Sequence, residues 1–462
     1  MSGLNTSLTI ATQSVLAQDG ALQITNNNIS NATTPGYSRQ IVTLTSAVSV
    51  DGNSTIGDGV VLGGFTSVRN QLLQLNLQQQ TSIGSGADTQ SSALQAIQSS
   101  FAASSADLGS SLATFFSSIS ALATNPTNTS SRQAILSAGQ SLATAFHRDS
   151  SALTQLQTNA DAQIPDDVSQ INQLSSQIAK LTAQLAPVLA SGGDGGALTD
   201  QKNQLVLQLS KLTSVSEIKT DSGDTLTIGN GTPLVVGGQS FPLKVTTGTD
   251  GLKHILDSTG TDITSSLASA SSGSIGGSLN LRDNVATGLL TQLDTLASQF
   301  AAAVNTAQSS GYDANGAAGQ ALFTVPSTVS GAAANIALTT SNPALVAASS
   351  DGTPNSNGNL AHLSAIQNAV LPSGESPTGA YASLVYNVGE AASTATATSD
   401  ATQLSVQQLT DQIGSVSGVS IDEESANLVR FQQSYEASAK VITTINTLYS
   451  VILNMSNGGG GY

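Results

Sequence analysis

Cysteine and tryptophan are missing from this chain of 462 residues, and charged and aromatic side chains are scarce, at 9% and 3%. Each absence closes off a class of function. Without cysteine there is no disulfide, no thiolate nucleophile and no zinc site built through sulfur. The same absence suits a chain that is exported unfolded and must not cross-link on the way. With so few aromatics the cores are thin, and alanine and leucine at helical spacing favour slender bundles over a thick globule. The 13 basic residues are scattered between Arg39 and Lys440 and form no patch, and the formal net charge is −16. That balance argues against nucleic acid and against an anionic membrane as partners. No stretch approaches the roughly 18 apolar residues of a membrane span. The N-terminus has neither the basic region nor the apolar core of a cleaved signal, so export would need another machine.

What the chain does have is periodicity at its two ends. Leu428, Phe431, Tyr435, Ile442, Ile445, Tyr449 and Ile452 alternate at three and four residues, with Ser438 at the one due position that is polar. A heptad seam of this length is one side of a coiled coil and needs a partner helix. Leu4, Leu8, Ala11, Val15, Leu22 and Ile29 follow the same spacing, interrupted by Gln18 and Thr25. The two ends are therefore expected to pair, with everything between them displayed outward. The N-terminal stretch is rich in Thr, Ser and Asn and carries Gly20, all poor helix material. It is expected to be disordered in the free chain and helical on assembly.

Between the ends the length leaves room for about two to four domains. Short extended pieces, Ile41–Leu44 and Val60–Leu62, flank turns at Asp51-Gly52-Asn53 and Gly57-Asp58-Gly59. Helical periodicity then runs from Arg69 to about Leu189, broken at Asn125-Pro126, and Pro165 followed by Asp166-Asp167 reads as the start of a further helix. A glycine-rich break at 192–196 precedes a helix from Leu198 to Leu212. Period-two stretches separated by glycine turns fill 214–278. Helices resume from Ser278 to Ser309 and from Tyr381 to Ile413, and Ser420 with Glu423 is spaced as a capping box for the last helix. The predicted fold is mainly α, elongated and multidomain, with a small inserted β domain and the terminal helices paired. The divisions are 1–34 with 418–462 as terminal core, 35–213 with 279–417 as helical body, and 214–278 as a small outer β domain.

Chemistry is hard to find. His147, His254 and His362 are far apart and lack ligand spacing, and Asp166-Asp167 and Asp422-Glu423-Glu424 are explained by helix-start dipoles. Gly229-Asn230-Gly231 lacks the Lys-Ser/Thr of a phosphate loop. No catalytic residue, metal site or cofactor is expected.

One stretch is far more specific. Asn27, Asn28, Ile29, Asn31, Thr34, Pro35, Gly36, Tyr37 and Arg39 resemble the signature shared by the axial proteins of the bacterial flagellum: rod, hook and hook-associated proteins. Leu198-Thr199-Asp200-Gln201-Lys202-Asn203-Gln204-Leu205 is similar to a helix of the hook-associated, junction-forming branch of that family. So are Ile275-Gly276-Gly277-Ser278-Leu279 with Arg282, Gly311–Gly316, and Val419–Glu424 followed by Asn427-Leu428 and Arg430–Tyr435. The chain is shorter than the longer members, and its Gly458–Tyr462 tail departs from the usual stop. The resemblance implies a structural, non-enzymatic, ring-forming adaptor outside the cell between hook and filament, exported by the flagellar type III apparatus without a cleaved signal. Implied partners are the hook protein, the second junction protein, the filament cap protein, copies of itself, and a cytoplasmic chaperone on the C-terminal helix. The nearest alternative is a hook or distal rod subunit, and an alternative of another class is a secreted peptidoglycan hydrolase using the flagellar export route.

Overall fold

A computed structural model describes residues 2–47, 57, 59–102, 107–220, 223–324 and 326–457. The expected turn at Asp51-Gly52-Asn53, Asp58, Ser222 and the Gly458–Tyr462 tail lie outside them. The chain opens with α1 (Ser2–Ser30), followed by an antiparallel hairpin of β1 (Gln40–Ser46) and β2 (Val60–Ser67). Four helices follow: α2 (Gln71–Ala102), α3 (Leu108–Ala123), α4 (Thr129–Ala190) and α5 (Gly196–Leu212). A four-stranded antiparallel sheet is built from β3 (Val215–Thr220), β4 (Gly223–Ile228), β5 (Thr232–Val236) and β6 (Gln239–Ser240) in that order. A separate hairpin pairs β7 (Lys244–Thr247) with β8 (Lys253–Leu256). Then come α6 (Thr264–Leu267), α7 (Gly273–Asn280), a π-helical turn (Leu281–Ala286) and α8 (Thr287–Ser309). A largely irregular stretch carries α9 (Ala332–Asn335) and α10 (Gly358–Ala365), and the chain closes with α11 (Pro377–Ser417) and α12 (Ile421–Asn457). The fold is mainly helical with small inserted sheets and paired terminal helices, as the periodicities predict.

The scarce aromatics are concentrated. Phe115, Phe116, Phe146, Phe300 and Phe323 form one cluster of edge and tilted contacts between α3, α4 and α8, with Phe300 and Phe323 centroids 5.6 Å apart. Such pairs add to plain area burial. A second core joins Ile164, Ile171 and Ile178 of α4 and Val206 and Leu209 of α5 to Leu226, Ile228, Leu234 and Ile255 from the strands. The sheets thus share their core with the helices that precede them. One helix, α4, runs through both cores.

That continuity departs from the sequence reading, in which a new helix begins at Pro165. The structure carries α4 unbroken through Pro165 and Pro187 for 62 residues. A proline ring costs an interior helix one hydrogen bond, here the one the Asp161 carbonyl would accept. Packing on both sides offsets it: Ile164 and Val168 are buried, and the Asp161 carboxylate takes the Lys253 amide at 2.8 Å and Arg282 at 2.7 Å. Asp167 does not serve a helix start either. It is buried mid-helix, accepts from Gln163 and Ser274, and burial pushes its carboxyl pKa up. Conversely, the helix expected from Leu72 to Leu122 is two, because Asp107 caps α3 by accepting from the Ser110 amide at 2.6 Å.

Candidate assembly node and terminal interface

The terminal helices lie antiparallel: Asn5 of α1 accepts from the Tyr449 hydroxyl, the Ser14 and Ser438 hydroxyls pair at 2.8 Å, and Asn28 reaches Glu424. On α12 the inner face carries Leu428, Phe431, Tyr435, Ile442, Ile445 and Tyr449, of which Ile445 is buried, while Ile452 is more exposed. Arg430 lies over the Phe431 ring, 4.9 Å from its centroid. On α1 the most enclosed positions are small or polar: Ala11, Ala17, Gln18, Ala21, Thr25 and Asn28. Ala11, Ser14, Gln18, Ala21, Thr25 and Asn28 form a three-four stripe against α12. Leu8, Val15, Leu22 and Ile29 sit beside it at seven-residue intervals and stay half-buried, as does Leu4. The opposite flank of α1 is covered by the β1–β2 hairpin, whose Leu62 packs over Gly20. Outward on α12, Val441, Leu448 and Met455 repeat every seven residues and are 47%, 47% and 73% exposed.

The signature Asn27–Arg39 folds into the point where these elements meet. α1 ends at Ser30 in a capping turn: Asn31 donates to the Asn27 carbonyl at 3.0 Å and to its side-chain oxygen at 2.6 Å, and Thr34 donates to Asn31. Pro35-Gly36 makes the next turn, closed by the Tyr37 amide on the Thr34 carbonyl, with Gly36 at φ +78°. A left-handed residue with Pro before it is what a type II turn requires. A side chain at Gly36 would also strike Gln204 of α5.

Asn28, 1% exposed, fills every hydrogen-bonding valence. Its oxygen accepts the Gln40 amide at 3.0 Å and the Tyr37 hydroxyl at 2.8 Å; its nitrogen donates to the Gln40 carbonyl at 2.8 Å and to Glu424 at 3.1 Å. Glu424, itself buried, also takes Arg39 Nε at 2.8 Å, while Arg39 reaches Glu423 at 2.8 Å and donates its amide to the Ser417 carbonyl. On the other side Asp200 of α5 accepts the Ser38 amide and hydroxyl at 2.9 and 2.8 Å and Arg69 Nε at 2.9 Å. Burial, with the charges of Asp200 and Glu424 added, pushes the Tyr37 hydroxyl pKa up to about 12. Tyr37 therefore stays protonated and donating at any physiological pH.

The Leu198–Leu205 stretch gains a physical reason in the same place. Asp200 holds the signature; Lys202, nearly enclosed, pairs with Glu217 at 2.7 Å and with Asp224, tying α5 to the first two strands of the sheet; Gln204 lies under Gly36. Arg282 does similar work at the boundary of the two cores, bonded to Asp161, Asp283 and the Lys253 carbonyl.

Among the described residues no cluster of His, Asp and Glu is arranged to hold a metal, and no helix is long and apolar enough to cross a membrane. His147 bonds the Ile336 carbonyl, His362 is exposed, and His254 lies between Asp250 and Asp262.

Residues 94–323 match the profile of the flagellar hook-associated protein FlgK helical domain, and 414–455 match that of the flagellar basal body rod FlgEFG protein C-terminal. Flagellar hook-associated protein 1 of Salmonella typhimurium is 27% identical, and its namesakes of Escherichia coli and Bacillus subtilis 28%, each alignment covering 98% of both chains. The chain belongs to the flagellar hook-associated protein 1 family. The Salmonella alignment runs over 556 positions against 462 residues here, so that relative carries internal segments that this chain lacks. A hook junction protein FlgK from Burkholderia pseudomallei shares the fold at TM-score 0.65 and 18% identity, covering 75% of this chain and all of the other. The hook-associated profile takes in the phenylalanine core, all of α4, and the Asp200–Gln204 stretch. The rod-protein profile takes in the α11–α12 joint with Glu423 and Glu424.

Proposed function

We propose that this flagellar protein is a non-enzymatic adaptor at the hook–filament junction, that its terminal helices form the tubular core of a ring of copies, and that its middle segments face outward. The observation that carries this reading is the pair of heptad stripes outside the seam, the exposed Val441, Leu448 and Met455 on α12 and the half-buried Leu8, Val15, Leu22 and Ile29 on α1. An apolar stripe at coiled-coil spacing outside the pair's own seam calls for further helices beside it. The hook protein, the second junction protein and the filament cap protein are the neighbours this position implies. Export through the flagellar type III apparatus, with a chaperone covering α12 beforehand, completes the reading. The proposed units are 1–34 with 418–462, 35–213 with 279–417, and 214–278; the β1–β2 hairpin, grouped here with the body, packs along α1.

A deletion strain tests it. Cells that build hooks but shed filament subunits into the medium support the junction role. The rod-protein profile at 414–455 favours a second reading, a hook or distal rod subunit, and hookless cells would establish that instead. Complementation with a chain truncated before Ile421 should fail to incorporate while its phenylalanine core still folds; normal filaments from that truncation would refute the assembly role of α12.

A further inference from the structure

α1 packs against both α12 and the hairpin, and among the described residues no helix or strand of the body packs along any of the three. This terminal unit, taken here with the hairpin, is joined to the body by two chain crossings, at Val68–Asn70 and at Gly418–Ser420, by the Arg39 amide on the Ser417 carbonyl of α11 beside the second crossing, and by the polar bonds around α5. Two crossings with apolar contact alone would make a swivel, since apolar contact has no preferred direction. The bonds here are directional. Asp194, in the α4–α5 loop, accepts the Ser67 amide at 2.8 Å, and Asp200 accepts the Ser38 amide and hydroxyl. Arg69 spans both carboxylates, with Nε on Asp200 at 2.9 Å and a terminal nitrogen on Asp194 at 3.3 Å, and its other terminal nitrogen donates to the Gly196 carbonyl at 2.8 Å. All of these groups are buried or half-buried, so solvent screening is reduced and the planar guanidinium fixes orientation as well as distance. Glu424 plays no part in this joint, because its bonds to Asn28 and Arg39 stay inside the terminal unit.

We propose that Asp194 and Asp200 are positioning residues that lock the terminal unit at one angle to the body. The Arg69 clamp they form, and not helix packing, is what keeps the joint from swivelling. This is a property of the free chain and does not depend on how the termini assemble, so a failed ring assay and a failed clamp are separate results.

The absence of cysteine makes the test clean. Spin labels at Lys211→Cys on α5 and Lys440→Cys on α12, both exposed, report the joint by electron–electron distance measurement. A second pair, Asn26→Cys with Lys440→Cys, reports the inside of the terminal unit. The parent chain is expected to give one narrow distribution for each pair. Asp194→Ala with Asp200→Ala should widen the first at least twofold, leaving the second and the helical circular dichroism unchanged. Should that double variant fail to fold, Arg69→Gln removes the cation alone and should widen the first distribution in the same way. A broad distribution in the parent, or an unwidened one in the folded variants, overturns the proposal.

Discussion

Asn28 makes four hydrogen bonds to two separate stretches of chain, Tyr37–Gln40 and Glu424, and no other residue type of its size offers two donors and two acceptors in one plane. Asn28→Ala should lower stability by about 1–3 kcal/mol, because the Gln40 amide and carbonyl are left buried without partners. Asn28→Asp should cost more at neutral pH, since it sets a second carboxylate against Glu424; thermal melts of the two variants side by side give the order. At Gly36 two penalties coincide, the positive φ and the Gln204 side chain. Gly36→Ala is expected to cost about 1–2 kcal/mol for the backbone alone, and adding Gln204→Ala should recover only the steric part in a double-mutant cycle. His254 titrates with a sign that can be worked out. Hydrogen bonds that its ring donates to Asp262 and then to Asp250 raise its pKa above 6.5. Its contribution is therefore fully present below pH 6.5 and is lost as pH rises through the raised value. The melting-temperature difference between the parent and His254→Gln should shrink over that window. The asparagines of the signature could be read from type and spacing, but their partners could not. Asp200 and Glu424 sit in stretches whose own periodicity explains them as ordinary helix surface, and only the fold brings them to Asn28 and Ser38.

Helices and strands were largely readable from period, because most elements bury one face and polar residues occupy the other. Two kinds of element escaped that logic. On α1 the largest side chains draw the eye to Leu8, Val15, Leu22 and Ile29, whereas the face against α12 is made of Ala, Ser, Gln, Thr and Asn. Small residues there let the helices approach closely, and the larger ones are left beside the seam. On α4, Pro165 reads as a boundary because local chemistry says so, and two cores holding the helix from both sides override it. The stretch should then carry stored cost. Pro165→Ala is expected to raise the melting temperature, by at most about 3 kcal/mol of stability, and no gain would mean that the Asp161 carbonyl is already served by its surroundings.

Taken whole, the molecule distributes its stability unevenly. The rings and branched side chains are concentrated in the body, while the ends are joined by small residues and hydrogen bonds, with the apolar stripe of α12 still open to water. Proteolysis of the purified chain should therefore trim both ends before it enters the phenylalanine core; uniform resistance would contradict this uneven distribution of stability. The body's spine adds a mechanical consequence. At 1.5 Å per residue the 62 residues of α4 make a rod of about 90 Å. Its C-terminal end lies beside the Arg69 clamp and its N-terminal end beyond the phenylalanines. A tilt of about 10° at the clamp would swing that far tip by about 16 Å on a rigid rod of this length. A few ångströms of slack in two carboxylates would thus be magnified, as by a long lever, into a far tip that wanders instead of holding one height.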